Sequence, residues 1–132
     1  MSAIRDLDIL LREMRPALHD GDYVFCCLPT QEAEEHIASA LCLFREAEGV
    51  TLILERTHAE RAGLAFGPLM RCITLTVHSA LEAVGLTAAV SAALTRHGIS
   101  ANVVAAYHHD HIFVPAEDTQ RALLALKEAA PV

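Results

Sequence analysis

The chain has 132 residues, 53% of them hydrophobic, a net charge of −7 and a single lysine, Lys127. That length bounds it to one compact domain or two very small ones, with enough apolar side chains for a core without disulfide staples. The acidic balance argues against nucleic acid and against an anionic membrane surface, both of which require clustered Lys and Arg, and no apolar run approaches the roughly 18 residues that span a bilayer.

Arg5, Asp6, Asp8, Arg12 and Glu13 interrupt any apolar core at the N-terminus. The stretch therefore reads as an ordinary helix and not a signal peptide, and a cytoplasmic protein is expected. Asp6 can cap this helix, whose apolar stripe is Leu7, Leu10, Leu11 and Met14. Pro16 marks its end, and Asp20-Gly21 is a turn signal. The wholly apolar run 23–28 predicts a buried strand, and 31–36 a brief helical turn. Strands over 39–45 and 50–56 flank Glu48-Gly49 as a hairpin. Thr57 is placed to cap a short helix over 58–63, with Glu60 at the third position of a capping box. The composition breaks at 63–68, which divides the chain into halves of 1–66 and 67–132.

In the second half Ile73, Leu75 and Val77 alternate with Thr74 and Thr76, predicting a strand over 70–78. At Leu86 the period changes: Leu86, Ala89, Val90, Ala93, Leu94 and His97 form the stripe of an amphipathic helix, and Gly98 supplies its left-handed stop. Strands over 102–107 and 112–115 then make an antiparallel hairpin around His108–His111. Glu117 and Asp118 favour a last helix carrying Ala122, Leu123, Leu126 and Ala130 on one side.

The loop Ser79–Gly85 carries the functional promise. A strand-to-helix loop can aim the unpaired N–H groups of a helix N-terminus at an anion, and Gly85 permits a sharp turn and close approach. The same spacing also fits a plain connection in which Gly85 only admits the helix. Four cysteines, Cys26, Cys27, Cys42 and Cys72, lie in apolar runs without a C-x-x-C pair, as expected of small buried hydrophobes. His108, His109, Asp110 and His111 have the composition of a metal cluster, yet adjacent turn residues diverge, and only His109 and His111 could share a face. His78 is the obvious further ligand; the competing reading is a hairpin turn in which Asp110 accepts backbone hydrogen bonds. No G-x-S-x-G elbow, P-loop or dinucleotide fingerprint occurs, so catalysis is not expected, and neither is a cofactor.

Ser79–Thr87, S-x-L-x-A-V-G-L-T, followed by G-I-S-x-N-V-V at Gly98–Val104, resembles the ACT-domain proteins, in particular small stand-alone bacterial members related to cytosolic amino-acid sensors. The resemblance spans about half the chain, with the first half matching more loosely as a diverged second unit. It implies an α+β, ferredoxin-like fold of β-α-β-β-α-β units with antiparallel sheets and helices on one face. It also implies a non-catalytic regulatory protein that binds an amino acid or similar small effector. The implied ligand-binding positions are Ser79, Glu82, Val84, Gly85, Leu86, Thr87, Asn102, Val103 and Val104. A carboxylate would meet N–H groups around Gly85, Leu86 and Thr87, and Asn102, Ser79 or Glu82 would accept from an ammonium group. Asn102 fits a strand-end turn residue equally well, and Glu82 an exposed loop charge.

Two complete units need eight strands, and the sequence predicts six. The second unit stops after its last helix without a fourth strand, so the strand over 23–28 is expected to cross over and complete it, interleaving the halves. Unpaired outer edges invite a homodimer. Two other readings stay open: a dimeric interaction module without ligand, and a metal-binding protein using the His108–His111 turn.

Overall fold

A computed structural model of the protein describes residues 6–77 and 80–129. In chain order its elements are α1 (Leu7–Glu13), β1 (Pro16–Leu18), β2 (Tyr23–Leu28), α2 (Thr30–Glu34), β3 (Cys42–Glu46), β4 (Gly49–Glu55), α3 (Arg56–Arg61), β5 (Met70–Leu75), α4 (Leu86–Arg96), β6 (Asn102–Ala105), β7 (Asp110–Pro115) and α5 (Thr119–Glu128). They form two units: Asp20–Met70, and the chain up to His19 together with Arg71 onward.

In the Asp20–Met70 unit the strands lie in the order β3-β4-β2. β2 pairs antiparallel with β4 along its whole length, from Tyr23 opposite Glu55 to Leu28 opposite Val50. One face of this sheet, Val24, Cys26, Leu28, Val50, Leu52 and Leu54, packs with Ala33 of α2 and Ala59 of α3 into a core of its own. The small alanines let these two short helices sit close to the strands. The predicted capping box at Thr57 does not form. α3 starts earlier, with Glu55 as its N-cap and no side-chain cap bond, because Glu60 turns to Arg56 one helical turn back, at 3.3 Å.

The other unit has the strand order β1-β5-β7-β6, with α1, α4 and α5 supplying one covering layer. Read from β5, it is a ferredoxin-like β-α-β-β-α unit whose last strand, β1, comes from the beginning of the chain. β1 pairs antiparallel with β5, Pro16 opposite Leu75 and Leu18 opposite Ile73, and His19 N–H donates to the Cys72 carbonyl at 3.0 Å. Leu10 and Leu11 of α1, with Met14 at its C-cap, join Ile73, Leu75, Val90, Leu94, Ile112, Val114 and Leu126 in the core. Burying each large side chain there contributes roughly 1.5–3 kcal/mol. Asp6 caps α1 as expected, its carboxylate accepting from Ile9 N–H at 3.1 Å.

This arrangement corrects two expectations. The strand that completes the second unit is β1, whereas Tyr23–Leu28 runs along β4 and meets β5 only at Tyr23–Met70. The leading helix likewise packs with the residues after Arg71, not with the half 1–66. Pro-Ala-Leu carries no strand signal because three residues are too few to show a period, and proline is tolerated at the first position of an edge strand. The hairpin is also shifted. β6 ends at Ala105, β7 begins at Asp110, and Ala106 N–H donates to the His109 carbonyl at 3.1 Å across the turn.

Candidate functional site

α4 begins where the sequence places it, at Leu86, and Gly85 is its N-cap with φ +101°. Glycine alone adopts that angle without strain. A Cβ at this position would lie 2.9 Å from Leu7 Cδ2 of α1, so the turn is both left-handed and closely packed. No side chain among the described residues caps α4. The first amides of such a helix have no carbonyl one turn back to bond, and the partial positive charge of the helix dipole gathers on them.

Beside this helix start lies a cavity of about 140 Å³, lined by Ala80, Leu81, Ala83, Gly85, Leu86, Thr87, Ala105, Ala106 and Asp110. Of the expected ligand residues it gathers Gly85, Leu86 and Thr87. The others lie elsewhere: Val84 is 83% exposed, Val103 packs against the core, and Glu82, Asn102 and Val104 do not reach the cavity wall. Ser79, like the candidate metal ligand His78, lies outside the described residues. Asp110, which the sequence offers only as a turn residue or a member of a metal-like cluster, also lines the cavity. As the first residue of β7, Asp110 alternates in register with Ile112 and Val114, and its side chain therefore takes the helix-covered side of the sheet. Only 7% of it is exposed. Burial pushes its pKa above the ordinary carboxylate range, with the neighbouring His111 and His109 pulling part of the way back.

A larger recess of about 510 Å³ lies in the other unit, against Asp20, Asp22, Glu55, Arg56 and Glu60. Its one cation, Arg56, is already held by Asp22 and Glu60, each at 3.3 Å. Four carboxylates around a committed guanidinium make poor surroundings for an anion. The first cavity instead brings the first residues of α4 and the buried Asp110 to one small space.

Of His108, His109, Asp110 and His111, the residues of the alternative metal reading, only His111 has a ligand atom in the converging set. Among the described residues the ligand atoms that converge are those of His19, Cys72 and His111. Thr74 sits among them, its Oγ1 2.6 Å from His19 Nε2 and 2.8 Å from His111 Nδ1. With one proton, the hydroxyl donates to one ring and accepts from the other. Burial lowers the His111 pKa, and it pushes the Cys72 thiol up to about 11 despite a hydrogen bond with Thr74 that acts the other way.

Two family models, each described as ACT domain, match residues 2–71 and 70–128. None of the curated proteins compared with the chain matches it. Among solved structures, a Vibrio cholerae protein of unknown function, described as a possible transport protein, is 51% identical, with a TM-score of 0.84 over 98% of this chain and 100% of that one. The ligand-free regulatory subunit of aspartate kinase from Thermus thermophilus has a TM-score of 0.68 at 11% identity, covering 89% of this chain and 97% of that subunit. The allosteric aspartate kinase of Clostridium acetobutylicum gives the same TM-score, 0.68, at 11% identity, over 88% of this chain and 34% of the enzyme. At those identities the two kinase matches show a shared fold.

Proposed function

The chain belongs to the ACT-domain family, and from that premise we propose that it is a non-catalytic regulatory protein whose effector is a free amino acid. Family membership supports a regulatory, ligand-binding role in general. The finer reading rests on one observation: the buried Asp110 and the first residues of α4 line one cavity of about 140 Å³. Clefts that take drug-sized ligands run to about 300–1,000 Å³, so the space favours a small metabolite. The α-carboxylate would take the N–H groups at Gly85, Leu86 and Thr87. Asp110 would take the ammonium group, a role the sequence reading assigned to Asn102, Ser79 or Glu82.

The Asp110→Asn variant separates this role from simple packing. Loss of a charge-assisted contact should weaken amino-acid binding roughly 10- to 100-fold, read by titration calorimetry. The unliganded variant should meanwhile be more stable than the natural chain at neutral pH. The folded-state pKa of Asp110 is raised, so its favourable contribution is complete below the unfolded carboxylate value and is lost as pH rises through the folded value. The stability advantage of asparagine should therefore shrink on acidification. Unchanged binding would remove Asp110 from the site.

We also propose a homodimer. β6 is an outer strand, and the loop and turn on either side of the cavity carry Leu81, Val84 and Tyr107, which are 65%, 83% and 72% exposed. Apolar side chains beside an open strand edge are a surface that a second copy can cover. A bound effector that favours one arrangement of the pair would carry the signal, since a ligand shifts only the states it binds unequally. Sedimentation at micromolar concentration should give twice the chain mass; a monomer throughout would exclude the dimer.

A further inference from the structure

His19, Cys72 and His111 come from three neighbouring strand segments of one unit, the end of β1, β5 and β7. Leu18, Ile73, Leu75, Ile112 and Val114 alternate with them and turn toward the helices. The two histidines and the cysteine thus share the opposite face of the sheet. Their ligand atoms lie within 4.8 Å of one another, with Cys72 completely buried and both histidines partly so. His19 is held at the end of β1 by two bonds: its N–H to the Cys72 carbonyl at 3.0 Å, and its own carbonyl to Arg71 Nη2 at 2.9 Å.

We propose that His19, Cys72 and His111 form a binding site for a zinc-class divalent cation, separate from the cavity at the start of α4. Two imidazoles and a thiolate are the donors that such an ion selects over carboxylates and water. Around a tetrahedral ion, neighbouring N and S ligands stand about 3.3–3.6 Å apart, given the usual Zn–N and Zn–S lengths. The three side chains need to draw together by only about 1 Å from their present spacing, a motion within reach of side-chain torsions. Thr74 Oγ1, which now bridges the two rings, would give up those bonds or take the fourth position, where a water molecule would otherwise sit. The thiol proton leaves to water as the sulfur–metal bond forms, so atoms and charge balance. The ion would tie the three-residue strand β1 to β5 and β7. Three histidines of the turn, His108, His109 and His111, drew attention in the sequence, but only His111 belongs to this set.

The test uses the full chain, purified reduced and stripped with a chelator, with Co²⁺ as the spectroscopic probe and Zn²⁺ as its competitor. One equivalent of Co²⁺ should produce a thiolate-to-cobalt charge-transfer band and the intense visible bands of a four-coordinate ion. Zn²⁺ should abolish both and raise the melting temperature. Cys72→Ser should lose the charge-transfer band, and His111→Ala should weaken Zn²⁺ binding about a hundredfold or more. His109→Ala should change neither. Absence of the band in the unaltered chain overturns the proposal without reliance on any variant's folding. It is equally overturned if the band survives in Cys72→Ser, or if His109→Ala is as damaging as His111→Ala.

Discussion

Leu10→Ala should destabilise the protein by about 2–5 kcal/mol, the range for emptying a fully buried leucine site. Leu10 belongs to a helix that sequence reasoning assigned to the other half of the chain, yet none of its side chain is exposed. It packs among residues of β5, α4, β7 and α5 that lie more than sixty positions away in the sequence. The loss combines the transfer free energy of the removed methyl groups with the cost of a cavity that a sheet and three helices cannot collapse to fill. Denaturant unfolding measures it as a lower midpoint at unchanged slope. A change below about 0.5 kcal/mol, as expected of a surface position, would mean that α1 is a loose leader and that the unit closes without it.

Gly85→Val should abolish effector binding and destabilise by about 1–3 kcal/mol, the cost of holding a non-glycine residue in a sparsely populated backbone region. A β-branched side chain fares worst at φ +101°. The contact with Leu7 Cδ2 adds less, because the end of a leucine can swing away whereas the backbone cannot. Relief of the strain would rotate the peptide units at the start of α4 and turn their N–H groups away from the cavity. Gly98→Ala is the matched control. It also stands at positive φ, +67°, with open space around a Cβ, at the far end of the same helix. It should lose stability by a similar backbone strain and bind as before. Calorimetric titration and thermal unfolding of both variants give the comparison, and undiminished binding by Gly85→Val would detach the helix start from the site.

What the sequence disclosed follows from the length of its signals. The start of α4 was legible to the residue because one apolar stripe repeats between Gly85 and Gly98; the helix ends at Arg96, with His97 as its C-cap. β2 and β4 were legible as dense apolar runs, and Asp6 as a cap. β1 was not, since three residues beginning with proline carry no period, and its partner strand lies more than fifty positions downstream. Without β1, the second unit lacks a fourth strand, and Tyr23–Leu28 is the apolar run left to fill that place.

The same limit shaped the reading of the site. Gly85, Leu86 and Thr87 could be found because helix entry is local. Asp110 and the set of His19, Cys72 and His111 could not, because strand pairing brings those residues together from distant parts of the chain. One local signal does exist: a strand begun at Asp110 alternates it with Ile112 and Val114 and turns the carboxylate toward the helices.

On the proposed reading, the hollow between Asp110 and the first turn of α4 grips an amino acid by both its charged ends. Titration calorimetry of the unaltered chain against each common free amino acid, repeated with the matching N-acetyl and amide derivatives, tests it most directly. At least one amino acid should bind saturably at one molecule per chain, and binding should be lost when either the ammonium or the carboxylate group is blocked. Heat-silent titrations with no accompanying rise in melting temperature, or equal binding of the blocked derivatives, would contradict it.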